Sequence, residues 1–372
     1  TGTLNMADMA IMVPAIPEDD RGLLHAGAAI LAVAFLVKAA AWPLNFWLPS
    51  AYSAASAPVS ALFAIMTKLG VYAILRVWTL LFPQDAGVSA LFGGPVLVGL
   101  GLVTLAFGAL GIIATQHLGR MAAFCAILSS GTLLAGLGFG QPAVTGGALY
   151  YTLGSTLAIS AFFLLVELVD RTREVEEKPL YISEIEPDDA FAFPVDLVPT
   201  RDVNLDDDEQ ALIGRAIPAA MAFLGLAFIV CALTIAGLPP MAGFVGKVVM
   251  LSALLNPAGF GEDAGVSGAA WLLLGLLLVG GLLTIIAMSR AGVRYFWATF
   301  DRPLPRLRII ETLPIGALLL LVGVLVWQAD AVLRYVNATA RGLHDPKEYI
   351  GSVLSAKPLP SPTATGEGGL RR

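Results

Sequence analysis

The sequence predicts an all-α, polytopic membrane protein, and three observations carry that prediction. Of its 372 residues, 57% are hydrophobic and only 13% charged, about half the charged share of an ordinary soluble domain, and the mean hydropathy is +0.79. Apolar runs of about 20 residues, enough helix to cross about 30 Å of hydrocarbon, recur along the whole chain. The charge that is present is concentrated: residues 170–215 hold 14 of the 28 acidic residues against five basic ones. A net charge of -6 distributed in this way argues against a nucleic-acid partner.

In order, the candidate spans are 24–49, 57–82, 91–114, 119–139, 144–169, 217–255, 270–297 and 312–330. The first carries Pro43 and ends at Pro49, and the sixth is too long for one straight crossing and contains Gly237-Leu238-Pro239-Pro240, so both are expected to be broken. A break inside a bilayer survives only where the freed backbone faces protein or a water-filled cavity. If the spans alternate, Arg120, Arg171, Arg173, Lys178, Arg201, Arg215, Arg290, Arg294, Arg302, Arg306 and Arg308 fall on one side, which the positive-inside rule makes cytoplasmic. Arg334, Arg341 and Lys347 in the tail run against that rule. The segment 170–215 reads as an acidic cytoplasmic loop or a docking segment for a partner protein, and 356–372 as a disordered tail. The chain opens on Thr1 without a signal peptide, and its native amino terminus is expected to lie further upstream.

Three of the six lysines, Lys38, Lys68 and Lys247, stand alone inside apolar segments. An isolated cation in mid-membrane costs from roughly 3 kcal/mol on insertion scales to more than 10 in simulation, so it needs a role or a partner. Lys38 lies about 14 residues into its span and Lys68 about 11, roughly 21 and 17 Å along a helix. A lysine stem of about 6 Å cannot readily snorkel from that depth, and the central parts of the spans hold no Asp or Glu to form a static pair. Loss of water favours the neutral amine, so lysines placed in this way can exchange protons near neutral pH. His117, beside Arg120, is a candidate for proton entry, although an interfacial structural role suits it better. Ser129, Ser130, Thr156 and Ser160 place hydroxyls on the fourth and fifth spans, where close packing by small residues explains them equally well. His25 and His344 read as incidental, and Cys125 and Cys231 as small buried hydrophobes without metal-ligand spacing. No metal site, cofactor motif or catalytic constellation is predicted, which points away from an enzyme.

The runs Phe35-Leu36-Val37-Lys38 through Pro49, Ala57-Pro58-Val59-Ser60, Thr67-Lys68-Leu69-Gly70 and Gly237-Leu238-Pro239-Pro240-Met241-Ala242-Gly243-Phe244-Val245-Gly246-Lys247 closely resemble the antiporter-like membrane subunits shared by Mrp-type cation/proton antiporters and respiratory complex I. The opening Gly2-Thr3-Leu4-Asn5-Met6-Ala7-Asp8 and the stretch Ala340-Arg341-Gly342-Leu343-His344-Asp345-Pro346 are similar to the D-type family of Mrp (Pha, Mnh) antiporter subunits. The resemblance implies about fourteen transmembrane helices, of which about eight fall in this sequence, arranged as inverted repeats with two discontinuous helices. Residues 1–82 would end the first repeat, 83–300 would form the second with its loop at 170–215, and 301–355 would hold the last transmembrane helix and an outer tail. Lys38, Lys68 and Lys247 then match the family's central, bridging and second-repeat lysines, Pro43, Pro239 and Pro240 mark the helix breaks, and the glutamate that pairs with the first lysine belongs to an earlier helix. This chain departs from the family in carrying Gly154 and Ser160 where relatives often have histidine or lysine, and Ser129-Ser130 where complex I relatives place a histidine.

The implied function is proton translocation within a multisubunit Na⁺/H⁺ (or K⁺, Li⁺) antiporter of the bacterial inner membrane, assembled with other Mrp subunits and using no ATP. A proton-pumping component of a complex I-like redox enzyme and a non-translocating assembly scaffold remain as alternatives.

Overall fold

The computed structural model describes residues 3–177, 219–257, 265–297 and 308–355. The expected disordered tail and most of the acidic loop lie outside these residues. Among the described residues, eight helical stretches are long and apolar enough to cross a membrane, and the chain is a multi-pass membrane protein. In order, the helices are α1 (Met6–Met12), α2 (Arg21–Lys38), α3 (Leu48–Ala54), α4 (Ala57–Leu81), α5 (Gly94–Ala114), α6 (Leu118–Gly138), α7 (Pro142–Glu177), α8 (Ala219–Ala236), α9 (Ala242–Leu255), α10 (Gly268–Gly292), α11 (Ile309–Trp327), α12 (Ala329–His344) and α13 (Lys347–Leu354). No strand occurs among the described residues.

Sequence and structure agree closely where an apolar run is uninterrupted: the expected spans 57–82 and 119–139 are α4 and α6 to within a residue. α7 has 36 residues, about 54 Å of helix, and it runs on to Glu177, past the point where a loop was expected. The broken helices are α2 with α3 and α8 with α9.

Both breaks end their first half in the same way. In α2, Ala41 N–H donates to the Leu36 carbonyl at 3.0 Å and Ala40 N–H to Val37 at 3.1 Å, with Ala40 in the left-handed region at φ 55°. In α8, Leu238 N–H and Gly237 N–H both donate to the Leu233 carbonyl at 3.0 Å, with Gly237 at φ 80°. Each closes the helix with the 6→1 bond of a Schellman-type cap. The stop in α2, at Lys38, therefore comes five residues before the proline that signalled it. Lys38 is consequently the last residue of an 18-residue helix, at the break expected in the first span. The backbone freed by the break is received by α5, where Thr104 Oγ1 accepts from Trp42 N–H at 2.9 Å.

α7 lies at the centre of the bundle, packed against α4, α6, α8, α9, α11 and α12. α5 and α6 pair intimately because small residues bring their backbones together: a Cβ on Gly108 would fall 2.6 Å from Leu128 N. Gly246 of α9 meets Tyr151 of α7 in the same way, a Cβ there falling 2.7 Å from the Tyr151 Cβ. Lipid provides no hydrophobic drive between helices, so such close contacts carry the association. α2 packs on α4 and has no buried residue, leaving Leu23, Ile30, Val33 and Val37 exposed.

Candidate functional site

Lys247 and Lys68 are both buried, each with 6% of its surface exposed. Lys247 projects from the second turn of α9 back across the break. Its Nζ donates to the Ala236 carbonyl at 2.9 Å and reaches the Ile235 carbonyl at 3.4 Å. In an uninterrupted helix those carbonyls would accept from residues 239 and 240. Both are prolines and have no N–H. The ammonium therefore supplies the donors that Pro239 and Pro240 cannot, at the negative end of the α8 dipole. Gly237 leaves room for the side chain, since a Cβ on it would lie 2.6 Å from Lys247 Nζ.

Lys68 sits on the buried face of α4, with Thr67 and Val71 beside it. Its Nζ donates to Ser129 Oγ on α6 at 2.8 Å. Two residues along, Gly70 lets α4 press against the break of α2, where a Cβ would fall 2.6 Å from Ala39 N. Between the lysines stands Tyr151 of α7, with 2% of its surface exposed. Lys247 Nζ lies over its ring, 5.8 Å from the centroid. Two contacts thus involve four helices, Lys68 with Ser129 between α4 and α6 and Lys247 with Tyr151 between α9 and α7.

This geometry can be set beside known proteins. Residues 1–184 match the family described as NADH:quinone oxidoreductase/Mrp antiporter, transmembrane region. Similarity to the D-type component named as part of a probable K(+)/H(+) antiporter in Rhizobium meliloti extends much further, at 44% identity over 355 residues, 95% of this chain.

Residues 1–184 belong to the NADH:quinone oxidoreductase/Mrp antiporter family.

The Rhizobium meliloti protein is covered over 63% of its length. The D-type component of a Na(+)/H(+) antiporter in Bacillus subtilis is 30% identical over 95% of this chain and 62% of its own length. The antiporter-family chain thus spans less than two thirds of these relatives. The fold also matches a chain in the solved Mrp complex of Dietzia sp., with a TM-score of 0.70 at 20% identity, over 95% of this chain and 65% of that one.

The other residues singled out from the sequence divide into two groups. Ser160 donates to the Ala61 carbonyl of α4 at 2.9 Å, and the hydroxyls of Ser130 and Thr156 are buried without a hydrogen-bond partner among the described residues. These three lie on helices that carry the two contacts. Lys38 and His117 do not join them. Lys38 is exposed on α2 and makes no ion pair or hydrogen bond among the described residues, and His117 is exposed at the start of α6. The described residues hold no cluster of His, Cys, Asp and Glu that could bind a metal ion, and both cysteines are free and buried.

Polar cavities open at both ends of the bundle. One of about 330 Å³ is lined by Tyr52, Ser53, Ser60, Glu167, Asp170 and Arg171. Glu167 accepts there from Ala57 N–H at 3.0 Å, at the start of the helix that carries Lys68. Arg171 pairs with Glu167 at 3.0 Å and Glu311 at 2.8 Å. The other cavity, of about 710 Å³, is lined by Asp85, Arg341, His344, Asp345 and Lys347 among others. His344, which looked incidental in the sequence, is hydrogen-bonded to Thr145 of α7 at 2.9 Å, and burial holds its imidazole below the ordinary histidine value. Tyr151 was missed in the sequence because a tyrosine in an apolar helix reads as core. The available signal was that its hydroxyl, if buried, needs a polar partner on a neighbouring helix.

Proposed function

We propose that this chain is the proton-translocating part of the D-type component of a multisubunit monovalent cation/proton antiporter, working in the bacterial inner membrane with the other Mrp subunits. The observation that carries the reading is a buried polar line in which Lys68 bonds to Ser129 and Lys247 bonds to the end of α8 beside the Tyr151 ring. Two ammonium groups held away from water, each beside groups that can reorient, can take up and release protons with small movements. Lys68 bonds to a hydroxyl, which donates or accepts as required. Lys247 bonds to two helix-end carbonyls, which accept only and so favour its charged form.

Ser160, Thr156 and Ser130 supply further hydroxyls beside this line, and the cavity at Glu167 and Asp170 is its mouth on the cytoplasmic side. Lys38, at the negative end of α2, is the third relay lysine and takes its counter-charge from a carboxylate on a neighbouring helix. The matching caps at Ala40 and Gly237 support the reading of two repeats, the first ending near residue 82 and the second spanning 83–300. The relatives are named for K⁺ and for Na⁺, and the exchanged cation of this chain is one of these alkali ions.

The test is cation-driven dissipation of a proton gradient in everted membrane vesicles that carry the full-length chain with its partner proteins. Lys68→Ala and Lys247→Ala should each abolish exchange with Na⁺ and with K⁺ while the complex still assembles on native gels. Normal exchange in both variants would overturn the reading. A second reading, a proton-pumping component of a redox complex, is favoured by 29% identity to the N-type component of the NADH-quinone oxidoreductase of Desulforudis audaxviator. It predicts flavin and iron–sulfur spectra in the purified complex.

A further inference from the structure

His344 stands in the wall between two cavities at one end of the bundle. The larger, of about 710 Å³, is lined by Gln84, Asp85, Arg341, His344, Asp345 and Lys347 among others. The smaller, of about 40 Å³, runs inward from His344, Thr145 and Thr79 to Ile74, Leu75 and Leu137, between α4, α5, α6 and α7. Pro83, Gln84 and His344 line both. One water needs roughly 10–15 Å³, so the inner cavity has room for about two or three, and Thr79, Gln84, Thr145 and His344 offer them hydrogen-bond partners. Of the residues that line this inner cavity, His344 is the one titratable side chain. Leu75 lies about two turns of α4, roughly 10 Å, from Lys68, and Leu137 about two turns of α6 from Ser129, so the inner cavity points from His344 toward the Lys68–Ser129 pair.

The ring is set between the two spaces. Nε2 contacts Thr145 Oγ1 at 2.9 Å, and Thr145 lines the inner cavity and not the larger one. Among the described residues, Nδ1 has no hydrogen-bond partner. We propose that His344 is the proton-transfer residue of the outer side, passing protons from the larger cavity to water in the inner one on the way to Lys68, an inference that rests on the two-lysine reading above. A hydronium ion in the larger cavity protonates Nδ1, and the imidazolium gives its Nε2 proton to water in the inner cavity. A half-turn of the ring then presents the remaining N–H to Thr145 and a bare nitrogen to the larger cavity, ready for the next proton. Burial favours the neutral ring, so a captured proton is readily given up. Arg341 and Lys347 act in the same sense, and Asp85 and Asp345 against them. Lys347 lies 3.7 Å from Asp345, and Arg76 of α4 is turned to the Tyr349 ring of α13 at 4.1 Å.

The experiment uses the full-length chain in its complex, in everted vesicles, whose lumen is the outer side. NaCl or KCl is the driving cation, and the readout is the rate of proton release from the lumen. Lumenal pH is varied between about 5 and 8, where histidine titrates, with the bath moved in step to keep the gradient constant. His344→Gln keeps a donor for Thr145 and cannot titrate. It should slow exchange at least about tenfold and abolish the part of the pH dependence that titrates with a histidine, with the assembled complex at normal levels on native gels. A wild-type rate and profile overturns the proposal, and so does a slower rate with an unchanged profile, which would make His344 a packing residue. If the Gln variant fails to assemble, 1,2,4-triazole-3-alanine at position 344 decides instead. It keeps the shape of the imidazole and binds a proton far more weakly, so the same slowing and flattening are expected, and a wild-type profile overturns the proposal. Lys68→Ala separates the two levels. If exchange survives that change, the two-lysine reading itself falls; if Lys68→Ala abolishes exchange while His344→Gln is normal, only the role of His344 falls.

Discussion

Lys247 belongs to one half of a broken helix and donates to the Ala236 carbonyl in the other half, at 2.9 Å. The bond exists because Pro240, four residues after Ala236, has no N–H to give. Pro239 leaves the Ile235 carbonyl open in the same way, and the same ammonium reaches it at 3.4 Å. The proline pair thus does more than interrupt a helix, because it builds an acceptor site for a cation in the middle of the protein. On the proposed relay, loss of the Lys247 proton would weaken both bonds and so link protonation to the geometry of α8 and α9.

Gly237→Ala tests that link. At φ 80° an L-residue is disfavoured by about 1–2 kcal/mol, and the new Cβ would sit 2.6 Å from Lys247 Nζ. The ammonium has to leave the helix end. Exchange should fall at least tenfold while the amount of assembled complex drops far less, measured by vesicle transport beside native gels.

Ala40, the counterpart of Gly237 in the first break, distinguishes backbone conformation from packing. Ala40→Gly relieves a left-handed residue worth roughly 1–2 kcal/mol, but it adds unfolded-chain freedom of about 0.4–1 kcal/mol and removes a buried methyl of about 0.8 kcal/mol. These terms nearly cancel, so thermal unfolding of the purified complex should be almost unchanged. Ala40→Val keeps the conformational demand and adds β-branching, and should lower the transition clearly.

Ser129 is the side chain that makes a buried Lys68 tolerable. Ser129→Ala leaves the ammonium without its bond at 2.8 Å, and hydrogen bonds to charged groups are worth about 1.5–3 kcal/mol. Transport should fall tenfold or more. Ser129→Thr, which keeps the hydroxyl, should restore most of it, and a threonine variant as impaired as alanine would assign Ser129 to packing.

What the sequence discloses here follows the range of the interactions. The spans of α4 and α6 were legible to a residue because an apolar run needs only its own length to declare itself. The breaks were legible at Pro43 and Pro239-Pro240, but not the exact end of α2: a Schellman cap at Ala40 ends it before the proline is reached, and no single residue near Lys38 announces that cap. The partner of Lys247 was readable in principle, since two prolines in a row name the two carbonyls they leave open. Ser129 and Tyr151 reach Lys68 and Lys247 across four helices, and no periodicity in one chain reports which faces of separate helices meet. His344 escaped for the same reason, being joined to Thr145 across 199 positions of sequence.

The His344–Thr145 contact makes the α12 side of the bundle sensitive to acid. Thr145 Oγ1 lies 3.1 Å from the Gln141 carbonyl, to which it donates, and an Nε2–H imidazole at His344 satisfies its 2.9 Å contact with the same oxygen. Burial holds the His344 pKa below its usual 6.5. The folded protein therefore prefers the neutral ring, and as the pH falls through about 6.5 the unfolded segment takes up a proton before the folded one does. The stabilisation from this contact is complete above that pH and declines below it, until His344 itself is protonated in the folded state. Arg341 and Lys347, which line the same cavity, oppose a second positive charge there, while Asp85 and Asp345 moderate the effect. Hydrogen exchange of the α12 amides, corrected for intrinsic exchange chemistry, should accordingly show weaker protection at pH 5.5 than at pH 7.5. In His344→Gln, which keeps a donor near Thr145 and cannot titrate, that difference should vanish; an undiminished pH effect in the Gln variant would assign it to another group.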